Sequence, residues 1–560
     1  MVMRRAVVLL IALLTDLGLA WLLWEVLGPG GWTAAKLAMA TAFAGTAPWT
    51  GLCAANGVIG FLLAKVRPLP LADGKAPPLC SCPRTAIVVT VRDEDMRRVL
   101  PTLRRLLHGL DLAGAGDLFG LFILSDSHDA RTEEPVVAAF RAEDRDPKRI
   151  RYRRRSVNSG FKAGNVMDFI DNHAEGFELM LTLDADSEIS ATAVLRLVRT
   201  MQADPALGLV QHLTVGLPAS SGFTRMFQFG MRAGMRTWAT GQDWWQGDQG
   251  PYWGHNAVVR IAPFDAHCRL PMLPGGHHIL SHDQVEAALL RSAGWGVRVV
   301  LDEDGSWEAH PPALPEFLRR ELRWLAGNMQ YWHLLRLPGL RAMGRWQLVQ
   351  AILLFAGAPF YLLFLLAAAA AAATDNVSAF PARWAAMLTA AWLGALYAPK
   401  LLGYAQVVLS PDRRARYGDT VQFAAGVGAE TCFTLLLDAV SAVAKTGAML
   451  RLVRGRHADW NLQNRSDRRV GWREATRLLW PQSVLGIAVF SAFALAGWTA
   501  TLWALPLAGG LLASIPFCVL TADPRFGRWL RQRQIAAVPE ELRASPRGQP
   551  AAALALQDSD

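Results

Sequence analysis

The chain has 560 residues, of which 52% are hydrophobic and 21 are tryptophan, with a formal net charge of +10. That balance excludes an ordinary soluble enzyme. It also argues against a nucleic-acid partner, because the surplus arginines flank apolar runs instead of forming a basic stripe interleaved with aromatics. Anionic membrane lipid is the partner such arginines suit.

Residues 6–24 carry only Asp16 as a charge, and residues 38–64 carry none. Roughly 20 apolar residues cross the hydrocarbon core, so residues 1–79 are expected to hold two transmembrane helices. The first is read as an anchor and not a signal peptide, since no small-residue cleavage site follows it cleanly. Residues 80–345 are polar enough for a separate domain in which strands and helices alternate. Residues 85–91 (TAIVVTV), 118–125, 150–153, 179–183 and 207–212 read as strands. Residues 96–110, 134–142, 165–173, 191–201 and 284–290 have helical periodicity. The alternation predicts a mainly parallel sheet covered on both faces, with ligands beyond the carboxyl ends of its strands.

Apolar runs then resume. Residues 346–410 and 481–522 each have room for two transmembrane helices. Arg4 and Arg5, then Lys65 and Arg67, then Arg413, Arg414 and Arg416, and finally Arg525, Arg528, Arg531 and Arg533 favour the cytoplasmic side, which places residues 80–345 there too. The semi-apolar stretch 422–450 then has both ends on that side, so it crosses twice or not at all; residues 411–480 are read as interfacial or partly inserted helices plus a loop. Residues 523–560 form a basic cytoplasmic tail, disordered at the end. Lys400, late in its span, either snorkels to the cytosol, which its position favours, or faces a sugar channel. The six cysteines are scattered, and Cys80-Ser-Cys82 lacks a second pair at metal-ligand spacing.

Acidic residues mark the strand ends: Asp126 in LSDSHD, and Asp184 with Asp186 in LDADSE. A carboxylate pair at i, i+2 suits a hard cation that completes its shell with water and phosphate oxygens. An isolated D-x-D is more often a helix cap and a solvated turn. Here it lies between Lys162-Ala163-Gly164-Asn165 and Arg320-Glu321-Leu322-Arg323-Trp324, with Asp283 between.

This order of motifs resembles the processive membrane members of glycosyltransferase family 2, which include cellulose, chitin and hyaluronan synthases. RYRRRSVNSGFKAGN, YWGHNAVVRIAPF, CRLPMLPG, ILSHDQVEAALLRSAGWGV, RWLAGN and APKLLG are more similar still to the glucans biosynthesis glucosyltransferase H family. The resemblance covers about residues 80–470 by motif. It implies an α/β GT-A-type cytoplasmic domain inserted in a polytopic helical membrane domain of the bacterial inner membrane. It implies UDP-glucose as donor, magnesium or manganese as cofactor, inversion at the anomeric carbon, and a growing glucan as acceptor. A periplasmic glucan-modifying protein would be a further partner, and the product would be a β-1,2-linked osmoregulated glucan.

Carried over residue by residue, Asp283 would be the base, with Arg323 at the leaving diphosphate and Trp324 under the acceptor sugar. Asp126, Glu94, Lys162, Asp184 and Arg320 would contact the donor, and Asp186 with Asp184 would hold the metal. Ser281-His282-Asp283 stands where the synthases carry Thr-Glu-Asp, and Arg320 where they carry Gln. Trp244, Trp245, Tyr252 and Trp253, before Gly254-His255-Asn256, could line an acceptor groove or form an interfacial belt, and the polar His255 and Asn256 tip the reading toward the groove. Trp460, Gln463 and Arg465 resemble a gating loop in placement. The amino-terminal region is short for the family, so regulation through an extension is not expected. Two other readings are transfer of one sugar to a polyprenyl phosphate and an inactive nucleotide-sugar sensor or scaffold.

Overall fold

The computed structural model describes residues 1–64, 82–129, 131–374, 381–455 and 466–542. The loop residues Trp460, Gln463 and Arg465, the basic pair Lys65 and Arg67, Cys80, and the last part of the tail lie outside these. Among the described residues ten strands form: β1 (Thr85–Val91), β2 (Phe119–Ser125), β3 (Ile150–Arg154), β4 (Leu179–Asp184), β5 (Ser187–Ile189), β6 (Leu207–His212), β7 (Val215–Gly216), β8 (Ala257–Arg260), β9 (Gly296–Val300) and β10 (Ser306–Glu308). Seven make one sheet in the order β3-β2-β1-β4-β8-β6-β9, and β5-β10-β7 make a small second sheet. The large sheet is parallel except at β8, which runs antiparallel to both β4 and β6.

Alternate side chains of β1 serve opposite cores, as the period of two requires. Ile87, Val89 and Val91 pack with Leu103 and Leu107 of the Met96–Leu112 helix and with Val194 and Val198 of the Ala191–Ala203 helix. Ala86 and Val88 face Val166 and Phe169 of the Phe161–His173 helix and Leu290 of the Asp283–Ser292 helix. A sheet covered on both faces needs apolar residues at every position, which is why β1 and β2 read as unbroken apolar runs.

Among the described residues, the helices Val2–Leu27, Ala34–Leu63, Ala342–Thr374, Thr420–Val453 and Trp472–Leu495 are long and apolar enough to cross a membrane. Two bent pairs qualify jointly: Ala382–Leu396 with Ala398–Leu409, bent by 76°, and Trp498–Leu512 with Ser514–Thr521, bent by 60°. The chain is a membrane protein. Thr420–Val453 is a single helix of 34 residues where several shorter ones were expected. It touches the sheet-bearing part toward both ends: the Phe423 ring lies 5.5 Å from Phe229, and Lys445 pairs with Glu321 at 3.0 Å.

The 25-residue helix Gly222–Gln246 joins the two parts, packing against Ala34–Leu63, Ala398–Leu409 and Thr420–Val453. Its buried face carries Arg225, Gln228 and Arg232. The arginines are met by the first part of the tail, which is folded: Arg225 pairs with Glu541 and donates to the Ile535 carbonyl, and Arg232 pairs with Glu540 at 2.5 Å. Removing one partner from a buried pair strands the other charge and costs about 3–5 kcal/mol. Arg232→Met should therefore lower the thermal unfolding midpoint of the solubilised protein by several degrees. Arg131→Met, at a side chain 90% exposed, should leave it unchanged.

Candidate active site

Asp184 is the last residue of β4, and Asp186 lies in the turn to β5. The Asp184 amide donates to Ser187 Oγ at 3.1 Å, which closes that turn. Lys162, in the first turn of the Phe161–His173 helix, pairs with the Asp184 carboxylate and donates to the Gly254 carbonyl at 2.8 Å. One ammonium thus ties two turns from distant parts of the chain. Gly254 has φ +88°, a conformation that side chains resist. A Cβ there would also stand 3.5 Å from that of Asp283. The bare glycine brings the Gly254-His255 turn against the start of the Asp283–Ser292 helix.

Burial pushes the Asp283 carboxyl above the usual carboxylate range, with His282 partly offsetting it. Burial also disfavours a charged His282, but Glu286, 2.9 Å away, and Asp283 outweigh it and raise its pKa. His255 reaches Ser187 Oγ at 3.3 Å through Nδ1 and Glu308 at 3.4 Å through Nε2. Burial holds the Glu308 carboxyl high, His255 and Arg320 opposing.

The Leu314–Met329 helix carries Arg320, Glu321, Arg323 and Trp324, and its end is fastened to the loop that bears Asp283. Gln330 accepts from the Leu280 amide at 2.8 Å and donates to the His278 carbonyl at 3.2 Å. Tyr331 donates to the Ser281 carbonyl at 2.8 Å. Gly327 lies so close to Ser281 that a Cβ would collide with its hydroxyl. Gln330, Tyr331 and Gly327 were not singled out in the sequence, although they follow the Arg-Trp pair by only one or two turns.

At the far end of the sheet edge, Asp126 is buried and gives both oxygens to Arg155, at 2.8 and 2.7 Å. Arg155 also donates to the Ser159 and Phe161 carbonyls, so the pair shapes the loop leading to Lys162. Asp93 takes φ +61° and accepts from His128 Nδ1 at 2.6 Å, while Glu94 folds back onto the Arg92 amide. Arg155 lies within the quoted basic run, but its partner could not be read from spacing.

A single cavity of about 1260 Å³ collects these groups. It is lined by Glu94, Asp126, Lys162, Asp184, Asp186, His255, Asp283, Glu308, Arg320, Arg323 and Trp324, so all nine sequence-derived site residues reach it. It continues between the membrane helices past Tyr361, Trp392, Tyr397, Lys400 and Glu430 to Pro506 and Leu507.

Several expectations need correction. Lys400 does not snorkel: it donates to Glu430 at 2.6 Å and to Thr434 at 2.8 Å, because a partnered ammonium inside is better satisfied than a lone one. Trp244 and Trp245 do not line the cavity; Arg4 lies 5.4 Å over the Trp244 ring, and Trp245 donates to Asn56 at 2.9 Å. Tyr252 is a core residue bonded to Thr182 at 2.9 Å, which leaves Trp253 as the aromatic of that stretch on the cavity wall.

Residues 86–268 match the glycosyl transferase family 2 model, and residues 179–399 match that of glycosyl transferase family group 2. Glucans biosynthesis glucosyltransferase H of Xanthomonas campestris is 32% identical over 93% of this chain and 85% of its own length. The chain belongs to this family. The Vibrio cholerae protein of the same name is 31% identical over 99% of this chain and 79% of its own. That of Rhodopseudomonas palustris is 34% identical over 93% and 76%. A solved mannosyltransferase from Pyrobaculum calidifontis, in complex with GDP-Man and Mn2+, aligns at a TM-score of 0.42 and 18% identity, covering 66% of this chain and 99% of that one. This family member is accordingly a membrane glycosyltransferase.

The contact between Gly327 and Ser281 gives a direct test of the fastening. Gly327→Ala should shift the Asp283 loop and lower transferase turnover about 100-fold, the scale of a misplacement near 1 Å. Nucleotide affinity, measured by calorimetry, should change little.

Proposed function

We propose that the protein is a processive, inverting glucosyltransferase that elongates a glucan from UDP-glucose and passes the product through its membrane helices. The observation that carries this reading is the single cavity: it holds the Asp184–Asp186 turn, Asp283 and Trp324 and continues between the membrane helices. A transferase that hands one sugar to a lipid phosphate has no need of that continuation.

In this mechanism the uridine end of the donor lies toward Glu94 and Asp126, and its diphosphate lies beside Lys162. Asp184 and Asp186 would hold a magnesium or manganese ion: both offer carboxylate oxygens at a strand end facing the cavity, and a donor set of two such groups leaves room for diphosphate oxygens and water. Such an ion supplies positive charge to the departing diphosphate. Arg323, on the same wall, adds to that charge.

The acceptor's terminal sugar rests on the half-exposed Trp324 indole. Asp283 takes the proton from its hydroxyl as the oxygen attacks the anomeric carbon from the face opposite UDP. The bond to the β-phosphate oxygen breaks, its electron pair leaves with UDP, and configuration inverts. The wall farther along offers Tyr361, Trp392 and Tyr397 to sugar faces, and its charges are paired, Lys400 with Glu430. A neutral chain can slide along such a surface. The linkage we assign is β-1,2, and the product is a periplasmic glucan available to a modifying protein there. The arginine distribution orients the sheet-bearing domain to the cytoplasm of a bacterial inner membrane. Residues 80–345 are the transferase and residues 1–79, 346–410 and 481–522 the membrane helices, among which the Thr420–Val453 helix packs against Ala342–Thr374 and Trp498–Leu512.

The test is purified protein with radiolabelled UDP-glucose and magnesium, followed by sizing and linkage analysis. A long β-1,2-linked polymer is expected; one sugar on a lipid, or none transferred, contradicts the proposal. Asp283→Asn should reduce elongation by at least about 100-fold. Because burial raises the Asp283 pKa, its reactive carboxylate form is lost sooner as the pH falls. The acid limb of kcat/KM should therefore lie above the ordinary aspartate value of about 4. A limb at or below that value would remove Asp283 from the role.

A further inference from the structure

Arg320 is almost fully buried on the cavity wall, and among the described residues its ion pairing is limited to a loose contact with Glu321 at 4.0 Å. Among the described residues its Nε has no hydrogen-bond partner. The carboxylates of Glu308 and Asp186 act on the guanidinium from farther off, and three aromatic rings lie against it. The Trp324 ring centroid is 4.6 Å away, that of Phe227 5.3 Å and that of Phe317 5.7 Å. Arg320 and Trp324 are one helical turn apart, so the two side chains share a face of the Leu314–Met329 helix. Phe227 comes from another cavity-lining helix, Gly222–Gln246. Trp324 alone of these three rings is largely open to the cavity, at 45% exposure. A planar cation between a fixed aromatic floor and one open indole restrains how that indole can tilt.

We propose that Arg320 is a positioning residue: it fixes the tilt of the Trp324 indole and thereby selects which acceptor hydroxyl is presented to Asp283. This rests on the acceptor role given above to Trp324 and replaces a donor contact as the task of Arg320. The sugar ring lies on the indole, so a change of indole tilt rotates the whole ring. Adjacent hydroxyls of a pyranose then exchange places in front of the base. Arg320 thus governs both the affinity for acceptor and the identity of the bond formed, without touching the reacting atoms.

The experiment uses the full chain in nanodiscs as wild type, Arg320→Gln, Arg320→Met, Phe227→Leu and Trp324→Ala, each checked for a monodisperse elution profile. Three quantities are read: the KM for a short glucan acceptor, the rate of UDP-glucose hydrolysis without acceptor, and the product linkages by methylation analysis. Arg320→Gln and Arg320→Met should raise the acceptor KM about 10-fold, the scale of a lost cation–π contact, and should yield a second linkage. Hydrolysis should fall much less than elongation. Phe227→Leu, which keeps the cation and removes one ring beneath it, should move KM and linkage in the same direction but less far, and it serves if the Arg320 variants fail to fold. An unchanged linkage and acceptor KM in these variants would overturn the proposal. So would a parallel loss of hydrolysis and elongation, which marks a donor contact. If Trp324→Ala keeps the wild-type acceptor KM, the acceptor reading of Trp324 fails first and takes this inference with it. That outcome differs from a normal Trp324→Ala loss beside an Arg320 variant without effect.

Discussion

The Lys162 ammonium is the joint on which the site depends. It is held by the Asp184 carboxylate on one side and the Gly254 carbonyl on the other. Those two groups end β4 and precede β8, antiparallel neighbours in the sheet. Without a cation between them, a carboxylate and a carbonyl oxygen would face each other across the strand ends. With it, the acidic turn and the Gly254-His255 turn keep one spacing, and Asp283 packs onto the second of them. The relation of the Asp184–Asp186 turn to Asp283 is therefore fixed by a charge in the cavity wall.

The sheet and the membrane helices are bound as tightly as the two sides of the site. The Gly222–Gln246 helix is the shared wall, with one face on the cavity through Phe227, Gly230 and Trp238 and another holding buried arginines against the tail. Buried charges are costly unless paired, and each of these is paired. Close approach elsewhere comes from small residues: a Cβ at Gly60 would strike the Thr237 carbonyl and one at Gly241 the Asn56 carbonyl. Such helix contact leaves little room for the transferase part to rock against the membrane part. The fastening of the Leu314–Met329 helix to the Asp283 loop then holds Trp324 and Asp283 in one arrangement on the cavity wall.

Much of the sheet was legible because parallel strands covered on both faces leave unbroken apolar runs; β1 and β6 have the boundaries the sequence implies. β8 was not seen, being four residues long and cut off by Arg260. The Gly222–Gln246 helix escaped because Arg225, Gln228 and Arg232 sit on its buried side, where periodicity looks for leucine. In the site, motif order located the carboxylates, the lysine and the Arg-Trp pair, and the fold brings them to one cavity. Partnerships were beyond reach: nothing in spacing says that Arg155 takes up Asp126, that Lys400 turns inward to Glu430, or that Gln330 and Tyr331 fasten the Asp283 loop. Those are facts of three dimensions, set by strand order and helix packing.

The most direct test of the account is an experimental structure of the protein with UDP, a divalent cation and a short glucan. The account predicts diphosphate and cation at Asp184 and Asp186, the terminal sugar on Trp324 with a hydroxyl within hydrogen-bond reach of Asp283, and the rest of the chain running between the membrane helices. A glucan bound away from Trp324, or a diphosphate that leaves both carboxylates untouched, would contradict it.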